Sequence, residues 1–416
     1  MSKAILVVLY KFPPMRGIAT RRWVKLSKAL SKMGVEVHVL CADYPYKDRI
    51  NWMKDLPESI TVHKYKSRFP SWLMKNHTSS FAYQVSRLTK FALSKLFFDI
   101  DEAQYDSYNI VSSAKKIIDE HDISNVLASG HPVSLNYFVS LIKYDLPNVN
   151  LIQDFRDNWN DLGVFAYTKG CKRFSAKEKH VYQEALAVNS ANHVVNVSNE
   201  LTNIMKLRHH NAINTQFQTI YNFYDPDDYK MTPTVEVNGF SLCYFGSLFN
   251  GRIEAIYSLL DAIELSDDQF IKEHLYIKLY TNYPQDKIKT QYKPYLGNRF
   301  EILPMVGPDQ VPNLINKAYA CLSINSIGSE YAFGTKIFEY LALNKTVFHV
   351  SNGGELYDEL RRSGQIVSHY KKSDIHQALI TLKARYSQFP SSSPASQPEN
   401  KFSLESAANS FYRLLK

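Results

Sequence analysis

The chain reads as an α/β protein made of two doubly wound domains, and three observations predict this. Its 416 residues are too many for one ordinary core, so two domains of about 200 residues each are expected. Short apolar runs alternate with amphipathic helical stretches in both halves, the signature of right-handed parallel βαβ units. No run of eighteen or more apolar residues occurs, so no membrane-spanning helix is expected.

The first half justifies the pattern element by element. Met1 to Tyr10 is apolar but short, and it ends in Lys11-Phe12-Pro13-Pro14 without a small-residue cleavage site. It reads as the first buried strand rather than a signal peptide. After Gly17 a helix is expected from about Thr20 to Met33, with Trp23, Leu26, Leu30 and Met33 at helical spacing and Arg21, Lys25, Lys28 and Lys32 on another face. Gly34 ends it, and Val35 to Cys41 alternates as a second strand. The stretch from about Phe69 to Phe98 is basic and irregularly amphipathic, with Trp72, Phe91, Phe97 and Phe98 among lysines and arginines. Further on, a helix near Tyr108 to His121 leads to a strand over Ser124 to Ala128. Leu151 to Gln153 and Ala191 to Val197 are further strands, the last followed by a helix cap at Ser198.

Pro226 and Pro233 flank a polar linker that places the domain boundary near residue 230. The second half repeats the alternation, with strands near Phe240, Leu275, Phe300, Ala320 and Thr346 and a helix starting near Asp309. Ser387 to Glu399, rich in Ser and Pro, reads as a flexible tether before a last helix, Leu404 to Leu415.

Composition narrows the chemistry. The net charge of +9 with 28 Tyr and 23 Phe suits an anionic membrane surface or nucleic acid. No RNP-like strand, zinc-finger spacing or repeat supports nucleic acid. Cys41, Cys171, Cys243 and Cys321 show no paired or metal-ligand spacing, which fits a reduced, cytosolic compartment. There is no G-x-G-x-x-G fingerprint and no G-K-[ST] phosphate loop.

Four segments carry the functional reading. Gly334-Thr335-Lys336-Ile337-Phe338-Glu339-Tyr340-Leu341-Ala342 puts a cation and a carboxylate on the first turn of an expected helix. Its N-terminal N–H groups and Lys336 suit a diphosphate, and Glu339 suits the two hydroxyls of a ribose. An ordinary amphipathic helix with Phe338, Leu341 and Ala342 in the core is the plainer alternative. Gly246-Ser247-Leu248-Phe249-Asn250-Gly251-Arg252 follows a strand; its small residues let a backbone approach a pyrophosphate that Arg252 neutralises. Ser129-Gly130-His131-Pro132-Val133-Ser134 and Asp154-Phe155-Arg156-Asp157-Asn158-Trp159 complete the set.

In this order the segments resemble, respectively from the chain's start, the "S-G-P-P-x-S", "D-F-R-D-P-W", "G-S-L-x-x-G-R" and "K-x-F-E-Y-L-A-x-x-K" motifs of the retaining group 1, family 4-like GT-B glycosyltransferases, in their bacterial surface-polysaccharide branch. The resemblance implies the GT-B fold: two Rossmann-like domains facing a central cleft, with a C-terminal helix crossing back to the first. It implies an acceptor domain over residues 1–230, a donor domain over 231–390, and a tether and returning helix over 391–416. It also implies transfer of a sugar from a nucleotide sugar to a glycan or lipid-linked acceptor, and retention is inherited from the family. The basic aromatic region suggests work at the cytoplasmic face of a membrane, with a merely solvated charged face as the plainer alternative. A sugar-nucleotide epimerase of the same fold, or a silent subunit that only binds nucleotide or partner, is the alternative.

Site residues follow from the same likeness. Gly17, Gly246, Ser247, Arg252, Glu330, Thr335, Lys336 and Glu339 are expected to hold the donor. Gly17 either lets the first loop approach it or is a plain turn glycine. Where the family usually has a lysine five or six residues after its arginine, this chain has Tyr257 and Ser258. The family's other glutamate falls on Tyr331, one residue from Glu330. On the acceptor side, many of these enzymes have a histidine just after a strand, where this chain has Asp154-Phe155-Arg156-Asp157. Asp157 is expected instead to accept or orient the hydroxyl proton and Arg156 to contact donor phosphate or hold Asp157, or the pair only braces the interdomain cleft. His131 lines the acceptor site or is a loop histidine. Asp99-Ile100-Asp101 has the form of a metal-binding D-x-D but reads as a helix start, and no metal is expected.

Overall fold

A computed structural model describes every residue except 1–2, 16–17, 44–55, 75–80, 83, 87, 90–91, 93–100, 161–173, 230–235 and 389–399. For 18, 19, 71, 74 and 174–177 it describes the backbone alone. Gly17, Cys171, Phe91, Phe97, Phe98, Asp99, Pro233 and most of the expected tether therefore lie outside the described residues. The chain divides into two compact units, Met1–Tyr221 with Leu404–Lys416, and Asn222–Ser403.

The first unit holds a sheet of strands β1 (Ala4–Val8), β2 (Glu36–Asp43), β3 (Ile60–Lys66), β4 (Asn125–Ser129), β5 (Asn150–Phe155), β6 (His193–Asn196) and β7 (Gln216–Thr219). Their order is β3-β2-β1-β4-β5-β6-β7, and every pairing is parallel. β1 is an unbroken Ala-Ile-Leu-Val-Val run because helices cover a doubly wound sheet on both faces. The helix Ile18–Lys32 buries Trp23, Leu26 and Leu30 completely, as its spacing predicts. It ends in a Schellman turn: Gly34 sits at φ +83°, its N–H reaches Ser31 O, and Val35 N–H reaches Leu30 O at 3.1 Å. Ser198 caps the helix Asn199–Arg208 by accepting from Leu201 N, again as predicted.

The basic face of that first helix needs correction. Lys25 is buried, so it is not a cation facing solvent alongside Arg21, Lys28 and Lys32.

The last helix, Leu404–Leu414, belongs to the first unit. It buries Ala407, Ala408, Phe411 and Leu414, and Phe411 lies 5.3 Å, ring centre to ring centre, from Trp23. Two carbonyls of its final turn are met: Leu414 O accepts from Asn150 Nδ2 at 2.8 Å and Leu415 O from Lys3 Nζ at 2.7 Å. Carbonyls at a helix end otherwise lack partners, so these bonds anchor the chain end to the sheet.

The second unit holds β8 (Ser241–Phe245), β9 (Tyr276–Tyr280), β10 (Phe300–Leu303), β11 (Ala320–Ile324), β12 (Thr346–Val350) and β13 (Ile366–Ser368). Their order is β10-β9-β8-β11-β12-β13, all parallel. Its core packs Phe240, Leu242, Ile256, Leu260, Leu322, Phe348 and Leu379 together. Cys41, Cys243 and Cys321 are buried free thiols. Burial raises all three, Cys41 and Cys243 to about 12, so they are inert at neutral pH.

Candidate functional site

In an open parallel sheet, ligands bind beyond the carboxyl ends of the strands where the strand order reverses. Here that point lies between β1 and β4 in the first unit and between β8 and β11 in the second. Both groups of sequence-predicted residues follow strands at or beside these points.

In the first unit the loops after β4 and β5 are tied together, because Arg156 Nη2 donates to Gly130 O at 2.9 Å. Gly130 is required by packing: a Cβ there would lie 2.1 Å from Asn136 Oδ1. Asn136 is itself fixed, since its Nδ2 donates to Gln153 Oε1 at 2.7 Å on β5. Asp154 is fully buried and accepts from Ser129 Oγ at 2.7 Å and Trp23 Nε1 at 3.3 Å, with Arg22 Nη2 at 3.6 Å. Asp154 thus braces the loop, while Asp157, three residues on, is exposed.

His131 joins this group electrostatically. Its imidazole keeps access to solvent, yet desolvation leads the causes that lower its pKa, followed by Lys11, with Asp157 opposing and Arg156 adding to the shift. Those two observations describe a recessed but reachable ring, neutral at pH 7. Sequence reasoning did not single out Lys11; its position three residues after β1, at the reversal of strand order, is the signal that marks it. Asp101 starts the short helix Glu102–Tyr105, as expected, and bonds Ser134 N at 2.9 Å and Ser134 Oγ. Burial raises its carboxyl to about 6. These contacts hold the helix Ser134–Ser140 behind His131.

In the second unit Gly246 to Arg252 leave the end of β8. A Cβ on Gly246 would lie 3.0 Å from Tyr244 Oη, and that hydroxyl donates to Ser247 O at 2.8 Å. A side chain at this position would therefore have to displace the Tyr244 hydroxyl by a few tenths of an ångström. Ser247 Oγ accepts from Phe249 N at 3.3 Å. Asn250 and Gly251 turn at φ 57° and 83°, and Arg252 stands at the N-cap of the helix Ile253–Glu264.

The loop after β11 is pinned in place. Asn325 Nδ2 donates to Ala332 O at 2.9 Å, and Tyr370 Oη donates to Asn325 O at 2.6 Å. Burial raises the Tyr370 phenol, Arg252 opposes that shift, and Tyr244 and Glu330 add to it. Arg252, Glu330 and Tyr370 therefore share one electrostatic neighbourhood. Glu330 Oε1 accepts from Gly328 N at 3.0 Å, and its carbonyl would sit 2.6 Å from a Cβ on Gly354. Tyr331 is buried, whereas Glu330 is half-buried and carries a carboxylate.

The helix Thr335–Ala342 follows, with Gly334, which has no side chain to cap it, at its N-cap. Nothing lies within 4 Å of a Cβ placed on Gly334. Lys336 Nζ contacts both oxygens of Glu339 at 2.8 Å, and Glu339 is buried. A carboxylate has about four acceptor positions, so this pairing alone does not exhaust Glu339. The helix ends in a Schellman turn, Lys345 N to Tyr340 O at 3.0 Å, with Asn344 at φ 52°. Sequence reasoning missed Tyr370 because it follows β13, a three-residue strand that gives almost no apolar signal.

Two parallel-sheet Rossmann-like units, with the last helix returned to the first, define the GT-B fold. No family model matches the chain, and no curated protein matches it. Solved structures do. Sucrose-phosphate synthase from Thermosynechococcus elongatus matches with a TM-score of 0.62 at 13% identity, covering 99% of this chain and 98% of that one. Anabaena HepE in complex with UDP-glucose matches at 0.59 and 15%, with the same coverage of 99% and 98%. A putative UDP-N-acetylglucosamine 2-epimerase from Listeria monocytogenes matches at 0.55 and 11%, covering 99% and 95%. At these identities the likeness shows the fold.

Proposed function

We propose that the chain transfers a glycosyl group from a nucleoside-diphosphate sugar to a hydroxyl of a glycan or lipid-linked acceptor, with retention, in cell-surface polysaccharide synthesis. The observation that carries this reading is that Arg252, Lys336, Glu339 and the N-terminus of the helix Thr335–Ala342 all follow β8 and β11, the two strands at the reversal of the second unit's sheet. Negative charge grows on the leaving diphosphate as the glycosidic bond breaks. Arg252, Lys336 and the N–H groups of Thr335 and Lys336 would stabilise it, each by up to several kcal/mol. Glu339 would hold the ribose, and Glu330 would meet the transferred sugar. In the first unit, Asp157 or the neutral His131 would take the acceptor hydroxyl's proton, with Arg156 fixing the loop that carries Asp157.

HepE, similar in fold, is described with UDP-glucose, which supports a nucleotide-sugar donor. The epimerase neighbour supports the rival reading, in which the same donor is isomerised and no acceptor is used. Lys25 is buried, so an anionic membrane would meet fewer cations on the first helix than its sequence offers. A screen of UDP-, GDP- and ADP-sugars separates the cases. Slow hydrolysis to nucleoside diphosphate, accelerated by an acceptor, supports transfer; epimerised sugar nucleotide identifies the rival; binding without turnover identifies a silent subunit.

A further inference from the structure

Away from both groups of loops, the first unit gathers three histidines from separate elements. His38 lies near the start of β2, His63 lies within β3, and His121 follows the helix Ser107–Glu120. Their ligand atoms all fall within 4.8 Å of one another, a grouping found once among the described residues. His38 Nδ1 and His63 Nε2 are 2.9 Å apart, and the His121 ring centre is 4.2 Å from that of His38. We propose that His38, His63 and His121 form a binding site for a divalent transition-metal ion of the zinc type.

The chemistry favours a cation here for three reasons. Zinc takes imidazole nitrogens at about 2.0–2.1 Å in a tetrahedron, which separates ligands by about 3.4 Å, so the observed spread requires only small side-chain rotations. Second, His38 Nε2 lies 3.0 Å from Glu36 Oε1. A carboxylate at that nitrogen keeps its proton there and leaves Nδ1 as the lone pair, the arrangement that orients metal-bound histidines. Switching the neutral tautomer of His63 then frees its Nε2. Third, the cluster sits at a helix C-terminus, where partial negative charge favours a cation, and the Glu120 carboxylate acts on His63 as well. His38 is buried while His121 is exposed, so an ion has an anchored ligand and a route in from solvent.

This ion would be structural. His121 precedes β4 and His131 follows it, so the cluster and the acceptor-side loops lie at opposite ends of one strand, on the order of 15 Å apart. It would clip β2, β3 and the end of the helix together, and such a site contributes folding energy directly.

The test uses the full chain without an affinity tag, stripped with chelator and titrated with Zn2+ against a chromophoric chelator, then with Co2+. One equivalent should bind, Co2+ should show the visible absorption of a tetrahedral site, and Zn2+ should raise the thermal midpoint. His63→Ala and His121→Ala, both at sites open to solvent, should each weaken Zn2+ at least tenfold, and Glu36→Gln by about tenfold. No binding in the wild type, or binding that both histidine variants leave unchanged, overturns the proposal.

Discussion

Lys336 and Glu339 hold each other through two 2.8 Å contacts, and this sets how a diphosphate would be recognised. A bound phosphate would have to share Lys336 with a buried carboxylate, so under the proposed reading Arg252 and the backbone N–H groups would carry a larger part of the charge. The pair was legible in the sequence as an i, i+3 spacing, though not the fact that its members bond each other. His349 is a second residue whose behaviour follows from burial. It lies in β12 with no exposed surface, contacts Ser323 Oγ at 3.0 Å, and desolvation lowers its pKa from 6.5 to about 3. Its folded value is depressed, so the stability linked to its neutral form is complete above pH 6.5 and falls as the unfolded chain takes up a proton that the folded chain refuses. Between pH 6.5 and about 3 the loss approaches 1.4 kcal/mol per pH unit. Denaturant titrations across that range should show a shallower acid loss for His349→Leu than for the wild type. Equal slopes would mean that this imidazole does not control the acid limb.

At the scale of elements, the strands buried on both faces were the most legible. β1 reads as a continuous apolar run and β4, β8, β11 and β12 as largely apolar ones because helices cover the sheets on both sides, while β5, Asn-Leu-Ile-Gln-Asp-Phe, was legible only over Leu151 to Gln153. β3, β7 and β13 were not anticipated, and all three are sheet edges. An edge strand such as Gln-Phe-Gln-Thr in β7 has a neighbour on one side only and tolerates polar residues, which erases the signal. The helix Phe174–Asn189 escaped for the opposite reason. Its Val181 and Tyr182 are exposed, while Glu184 is fully buried and paired with Arg208 at 2.9 Å and His209 at 2.8 Å. No hydrophobic stripe points to such a helix. Helix ends were more readable, and one gives a prediction. Gly34 occupies φ +83° with nothing within 4 Å of an added Cβ, so Gly34→Ala should lower stability by about 1 kcal/mol through backbone strain alone. Chemical denaturation would measure it, and an unchanged midpoint would remove the Schellman turn as a stabilising device.

At the scale of the whole molecule, the fold was legible and the chemistry was legible in part. Two alternating halves predicted two parallel sheets, and the chain end that returns to the first unit came with the family likeness. The His38, His63 and His121 cluster was invisible because its members are far apart in sequence and meet only through sheet register. Lys25 shows the converse, since a helical wheel assigns it to a charged face that tertiary packing covers. Under the proposed function the second unit binds a nucleoside-diphosphate sugar through Lys336 and Glu339. Calorimetric titration of UDP, GDP and ADP and their glucose derivatives into wild type and Glu339→Ala tests it most directly. Removing Glu339 releases Lys336 and can only help a phosphate, so a loss of affinity reports the ribose contacts. One nucleotide class should bind the wild type, and Glu339→Ala should weaken it by about 2–3 kcal/mol. Equal affinity in the two proteins, or no binding of any nucleotide, would contradict it.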